Sequence, residues 1–265
     1  MWKVTKLKKV KVLKTILVFS VLICAGLVIY YFKTTSEKKE EQKKIEQEEK
    51  AFIEYITETP QSDRVTYAAD FFYESIPYKI QQNMIVDFED ESMKVALEDL
   101  KYVQILYFDF DKKEHVGQII CNEYIAQDLV EIFYELHKIK YPIEKISLID
   151  EYGGDDFASM EDNNTSCFNY RTVSGSSELS LHAFGYAIDI NPYYNPYVIY
   201  NSDPLYVLPA SAEEYTDREA EFEGKITTED PCYQLFIEHG FTWGGSWSKP
   251  TDYQHFEKVP ADVEQ

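Results

Sequence analysis

A chain of 265 residues with 45% hydrophobic and 15% aromatic content is long and apolar enough to bury a core, which excludes disorder throughout. Its formal charge of −21, from 26 basic and 47 acidic residues, excludes nucleic acid as a partner, because nothing here could neutralise a phosphate backbone at scale. The charge is unevenly placed: residues 1–50 hold 12 Lys against 6 Glu, a net of +6, which leaves −27 on residues 51–265.

Residues 1–14 read as a basic stub carrying Lys3, Lys6, Lys8, Lys9, Lys11 and Lys14. Residues 15–32 follow without a charge and are dominated by Ile, Leu, Val and Phe. As a helix they would span about 27 Å at ~1.5 Å per residue, enough to cross a bilayer. The positive-inside rule then places the stub in the cytoplasm and everything after Lys33 outside. A cleavable signal peptide, with the domain secreted, shares the basic start and apolar middle, but the exit YYFKTTSEKK has no small-x-small cleavage site. Bulky Ile23 before Cys24 speaks against lipid attachment there. Residues 33–60, rich in Glu, Lys and Gln, read as a charged helical stalk. Ile45, Phe52 and Ile56 make only a thin apolar strip along it, so oligomeric state stays open.

Residues 61–91 show no clear period and read as an irregular lead-in to a globular domain over 92–259, with a tail at 260–265. Tyr102 to Phe110 alternates and is β-rich, DKKEH makes a polar turn, and Val116 to Cys121 returns as a second strand. From Asn122, a capping residue, Ile125, Leu129, Ile132, Phe133 and Leu136 recur at helical spacing up to Lys140, and Pro142 ends the helix. Ile143 to Ile149 reads as another short strand, and Asp230 to His239 as a second helix stopped by Gly240. Short antiparallel strands beside separate helices predict an α+β domain, a small antiparallel sheet with flanking helices.

Outside the apolar segment stand Cys121, Cys167 and Cys232, which allow at most one disulfide and contain no CxxC pair for a cysteine metal site. Of five histidines, His115, His137 and His239 sit in ordinary surroundings. The other two lie in unusual segments, LSLHAFGYAIDINP (179–192) and FTWGGSWSKPTDYQHFE (241–257). His182 and Asp189 are seven apart, so a straight strand would point them to opposite faces, whereas a turn at Gly185 running into a strand brings them to one point. A His and an Asp converging so make two of the three ligands of a catalytic zinc. Asp252 and His255 are separated by two residues, which lets the histidine bind metal while the carboxylate lies beside the metal's water. Zinc lowers that water's pKa to about 7, and the carboxylate then passes its proton to a leaving amine. Each of these residues taken alone would more often be structural; the two segments together predict a hydrolase site.

These segments resemble the zinc D-Ala-D-Ala carboxypeptidases and L-alanyl-D-glutamate endopeptidases of bacterial cell walls and phage endolysins. Ser180, His182, Gly185, Ala187 and Asp189 meet the S-x-H-x-x-G-x-A-x-D pattern, and Asp252 and His255 meet D-x-x-H. NNTSCFNYR (163–171) and WGGSW (243–247) are also similar, and the likeness runs over about 96–258. The resemblance implies the DD-peptidase type of α+β fold, shared with the Hedgehog signalling domain, and one zinc ion on His182, Asp189 and His255. It implies Asp252 as the base, and Arg171 as the group that steadies the substrate carboxylate or the developing oxyanion. Ser180, Asn164, Ser166 and Asn169 would line the substrate cleft, and the partner would be the stem peptide of peptidoglycan. Vancomycin-resistance type enzymes usually present E-x-W-H around the last histidine, whereas this chain has Asp252-Tyr253-Gln254-His255, closer to the endopeptidase branch. The NNTS-to-INP pattern is nonetheless often associated with D-Ala-D-Ala carboxypeptidases, so the bond cut stays open. The rival expectation is a catalytically silent, zinc-bearing binding module on the same fold, against which the retained Asp252 speaks.

Overall fold

The computed structural model describes residues 63–261, together with 38, 39, 42–45 and 47. The chain divides into two units, Met1–Thr59 and Pro60–Gln265. The described residues of the first unit are helical and exposed. The expected membrane span, 15–32, and most of the expected stalk lie outside the described residues. Among the described residues no helix is long and apolar enough to cross a membrane.

The second unit is a mixed α and β structure of small, mainly antiparallel sheets and few helices. Its largest sheet, among the described residues, has the order β1 (Val65–Ala68), β2 (Phe71–Ser75), β3 (Leu100–Phe108), β4 (Glu114–Asn122). The β3–β4 hairpin pairs Leu100 with Asn122 through Phe108 with Glu114. Asp109 closes its turn by accepting from the Lys112 and Lys113 backbone N–H groups. His115, expected in that turn, lies within β4 opposite Tyr107, with Nε2 2.7 Å from Asp109.

The expectation of an irregular lead-in over 61–91 is corrected here, since β1 and β2 form a hairpin that extends the sheet, Phe72 pairing with Gln104. Its signal is weak because β1 is only four residues long and mostly exposed. After it come the single turn of α1 (Tyr78–Gln81) and a stretch without strands up to Leu100.

Helix α2 (Glu123–Lys138) starts where Asn122 accepts from the Tyr124 N–H and lies against β3. All five apolar positions read from its period are at most 1% exposed. They meet Val103, Ile105, Ile119 and Cys121 from the sheet in one core, each such side chain contributing ~1.5–3 kcal/mol by burial. The strand expected over 143–149 is reduced to β5 (Lys145–Ile146), which pairs in parallel with β6 (Asn164–Thr165), and a turn of 3₁₀ helix takes over at Ile149–Tyr152. Between them stands α3 (Asp156–Glu161), capped by Asp155.

Two small sheets carry the rest. One has the order β10 (Thr242–Trp243), β12 (His255–Glu257), β7 (Ala187–Asp189). The other has the order β11 (Thr251–Asp252), β8 (Tyr197–Ile199), β9 (Tyr206–Leu208). Helix α4 (Pro231–Glu238), capped by Asp230, packs Phe236 face to face on Phe256 of β12, ring centroids 4.3 Å apart. Gly240 at φ +83° ends its last turn. Because strand side chains alternate, seating Ile188 and Phe256 in the core forces Asp189, His255 and Glu257 to the opposite side of their strands.

Candidate metal centre

His182 sits on a turn of 3₁₀ helix, Leu181–Phe184. Ser180 caps the turn, its hydroxyl accepting from the His182 backbone N–H at 3.3 Å. Gly185 closes it at φ +70°, and a Cβ there would stand 2.5 Å from the Asn122 backbone nitrogen, so both conformation and space require glycine. The chain turns directly into β7, where Asp189 is the cross-strand partner of His255 on β12. A bridge to Ser166 holds the other edge of Asp189: each backbone N–H donates to the other's carbonyl.

The outer nitrogens of both rings are fixed by groups that only accept. His182 Nδ1–H donates to the Cys167 carbonyl at 2.7 Å, and His255 Nε2–H donates to Glu257 Oε2 at 3.0 Å. The inner nitrogens therefore face each other, His182 Nε2 and His255 Nδ1 being 3.2 Å apart. Asp189 completes the group, with Oδ1 3.1 Å from His255 Nδ1 and Oδ2 3.3 Å from His182 Nε2. One ligand atom from each of the three residues lies within 4.8 Å of the others, and all three side chains are buried.

This arrangement calls for a cation at its centre. Burial alone would raise the Asp189 pKa, yet the two histidines overcome that and hold the carboxyl well below its usual range. Burial works against charging His255, but Asp189 and Glu257 push its pKa up to about 10. A buried cluster that draws a proton so strongly suits a divalent metal in the proton's place, and two imidazoles with one carboxylate are the donor set of an open metal site. Glu257 then orients His255 from behind, as outer carboxylates do for ligating histidines.

Asp252 lies on β11 opposite Tyr197, beside this centre. Its Oδ1 is buried without a partner among the described residues. Burial first, then the charge of Asp189, pushes its pKa up to about 7. The backbone allows the approach because Gly244, in WGGSW, has no side chain: a Cβ would lie 2.7 Å from the Asp252 carbonyl oxygen and 3.2 Å from His255 Cβ. Trp243 Nε1 donates to the Tyr253 carbonyl and pins the turn between β11 and β12, and the Trp247 ring lies 5.3 Å from that of His255.

The structure thus brings His182, Asp189, His255 and Asp252 together. Arg171 and Ser180 flank the isolated bridge between Thr172 and Leu179, the Arg171 carbonyl accepting from the Ser180 N–H. Its Nη2 is 2.9 Å from Asp156 Oδ2, and its Nε is buried without a partner among the described residues. Asn169 does not face a cleft freely: its Nδ2 donates to Asp156 Oδ1, and its backbone N–H donates to the His182 carbonyl. Asn164 is fully buried, and both of its amide hydrogens go to Ser147 O and Ser159 Oγ. Ser166 and Ser180 shape the ligand backbone as described.

Three participants lie outside the sequence reading. Glu257 has a signal, since H-x-E on a strand puts both side chains on one face. The Cys167 carbonyl and Asp156 have none, because neither a backbone oxygen nor a distant aspartate is marked by spacing. His137 and His239 have partners of their own, His137 with Glu114 and His239 with the Leu235 carbonyl. Cys121, Cys167 and Cys232 are free and buried, with thiol pKa values pushed up by burial.

No curated protein and no solved structure matches the chain. Residues 174–258, the stretch that holds His182, Asp189, Asp252 and His255, match the model of the D-alanyl-D-alanine carboxypeptidase family, and the peptidase likeness carried by the two histidine motifs is borne out there.

Proposed function

We propose that this protein is a zinc metallopeptidase that hydrolyses the stem peptide of peptidoglycan, either as a D-Ala-D-Ala carboxypeptidase or as an L-Ala-D-Glu endopeptidase. The observation that carries this reading is the convergence of His182 Nε2, Asp189 and His255 Nδ1 within 4.8 Å, next to Asp252, whose Oδ1 is buried without a partner among the described residues.

When bound to these three ligands, zinc supplies a Lewis acid for the scissile carbonyl and brings the pKa of water towards neutrality. Asp252 takes the proton of the attacking water and hands it to the leaving amine, a task matched to a carboxyl whose pKa burial has already raised. Arg171 turns N–H groups towards the oxygen on which negative charge develops. Cys167 and Glu257 keep both imidazoles in the tautomers that leave their inner lone pairs on the metal side.

The DD-peptidase type of fold and the membrane anchor are part of the same proposal. Residues 15–32 would cross the membrane of a bacterial cell once, and the helical stalk would carry the catalytic unit outwards by about 30 Å or more. Membrane-fraction assays with an N-terminal tag test the anchor. A tag recovered in the soluble fraction would remove it.

Digests of defined muropeptides, read by mass spectrometry with and without chelator, test the activity. Loss of a terminal D-Ala and cleavage after L-Ala give different masses. Metal bound without release of either product would instead identify a silent binding module.

A further inference from the structure

Asp156 stands between Arg171 and Asn169, and none of the motifs accounts for it. Its Oδ2 meets Arg171 Nη2 at 2.9 Å, and its Oδ1 accepts from Asn169 Nδ2 at 3.1 Å. Asn169 is tied through its backbone to the His182 carbonyl, and Arg171 through its carbonyl to Ser180. Both oxygens of Asp156 are thus held by residues that bracket the metal-binding turn. The guanidinium lies near enough for its charge to act on Asp252, that charge is already matched by Asp156, and its Nε is buried and unpartnered among the described residues.

An arginine of this kind offers donors without net charge. A free guanidinium selects a carboxylate by charge and by its fork of N–H groups. A guanidinium paired with a fixed aspartate still donates hydrogen bonds, but a second carboxylate brought to it faces repulsion from the first. The surroundings add to this, because the Asp252 carboxyl lies within reach of the charges of both Arg171 and Asp189, and residues 51–265 carry a net −27. A neutral carbonyl or carboxamide meets the N–H groups of Arg171 without that repulsion.

We propose that Asp156 is the specificity-determining residue of this centre: by pairing with Arg171 it favours substrates whose carboxyl group next to the scissile bond is masked, as an amide or a continuing peptide bond, over those ending in a free carboxylate. This rests on the peptidase reading above. It assigns Asp156 a role exerted through Arg171, so Asp156 is a positioning residue and does not itself touch the reacting atoms.

The test is equilibrium binding to zinc-loaded protein carrying Asp252→Asn, which slows turnover enough for ligand binding to be read. The probes are N-acetyl-D-Ala-D-Ala and its C-terminal amide. With Asp156 present, the amide is expected to bind at least as tightly as the acid. Adding Asp156→Asn, which keeps an acceptor for Asn169 but removes the charge, is expected to shift the acid-to-amide affinity ratio about tenfold towards the acid. Adding Asp156→Glu, which keeps the charge, leaves the acid disfavoured. A purely structural Asp156 would weaken both probes together and leave their ratio unmoved, which overturns the proposal. An acid preference already present with Asp156 intact overturns it as well. If neither probe binds and no muropeptide is cleaved by the wild-type protein, the peptidase reading itself falls.

Discussion

Glu257 makes the most readily tested contribution of any single side chain outside the ligand set. Its carboxylate fixes the outer nitrogen of His255, so Glu257→Gln should weaken zinc binding by about 10–100-fold in competition with a chromophoric chelator while leaving the fold intact. An unchanged affinity would show that His255 needs no carboxylate behind it. Gly185 is constrained more severely. At φ +70°, with backbone 2.5 Å from where a Cβ would sit, Gly185→Ala should lower the urea midpoint by an amount equivalent to more than ~1 kcal/mol. The four residues of the centre are legible in the sequence because their chemistry is rare here, two of five histidines lying beside aspartates in glycine-containing segments. Asn164 shows the limit of such reading: an asparagine in a motif can line a cleft or, as here, hold Ser147 and Ser159 inside the fold. Spacing does not distinguish the two.

The elements most readily found are those with a strong period. Helix α2 and the β3–β4 hairpin differ from expectation by a residue or two at their ends, because their apolar faces are continuous and Asn122 and Pro142 mark the borders. The β1–β2 hairpin escapes notice because an edge strand needs few apolar residues, and the two- and three-residue strands around the metal centre are too short to carry a period at all. Those short strands depend on what lies beneath them. Phe236 of α4 stacks on Phe256, whose neighbours His255 and Glu257 point to the metal side. Phe236→Ala should therefore cost about 3–5 kcal/mol in chemical denaturation, and zinc affinity should fall with it as β12 loses its support. Stability lost with zinc affinity unchanged would mean that β12 keeps its register without the ring beneath it.

At the scale of the molecule, the charge asymmetry separates a basic N-terminal segment from an acidic folded unit, and the centre draws its residues from 182 to 257 of that unit. A site assembled from β7, β12 and a 3₁₀ turn, with a buried carboxylate between two imidazoles, would gain stability from a bound cation. Zinc at about 100 times its dissociation constant should add ~2.7 kcal/mol, seen as a rise in melting temperature that a chelator reverses. The most direct test of the whole account sets zinc content beside hydrolysis of muropeptides for the wild-type chain and for Asp252→Asn. One zinc per chain is expected in both, with hydrolysis by the wild type that chelator abolishes and a rate lower by ~10²–10⁴-fold in Asp252→Asn. Hydrolysis that survives complete removal of zinc, or an undiminished rate in Asp252→Asn, would contradict it.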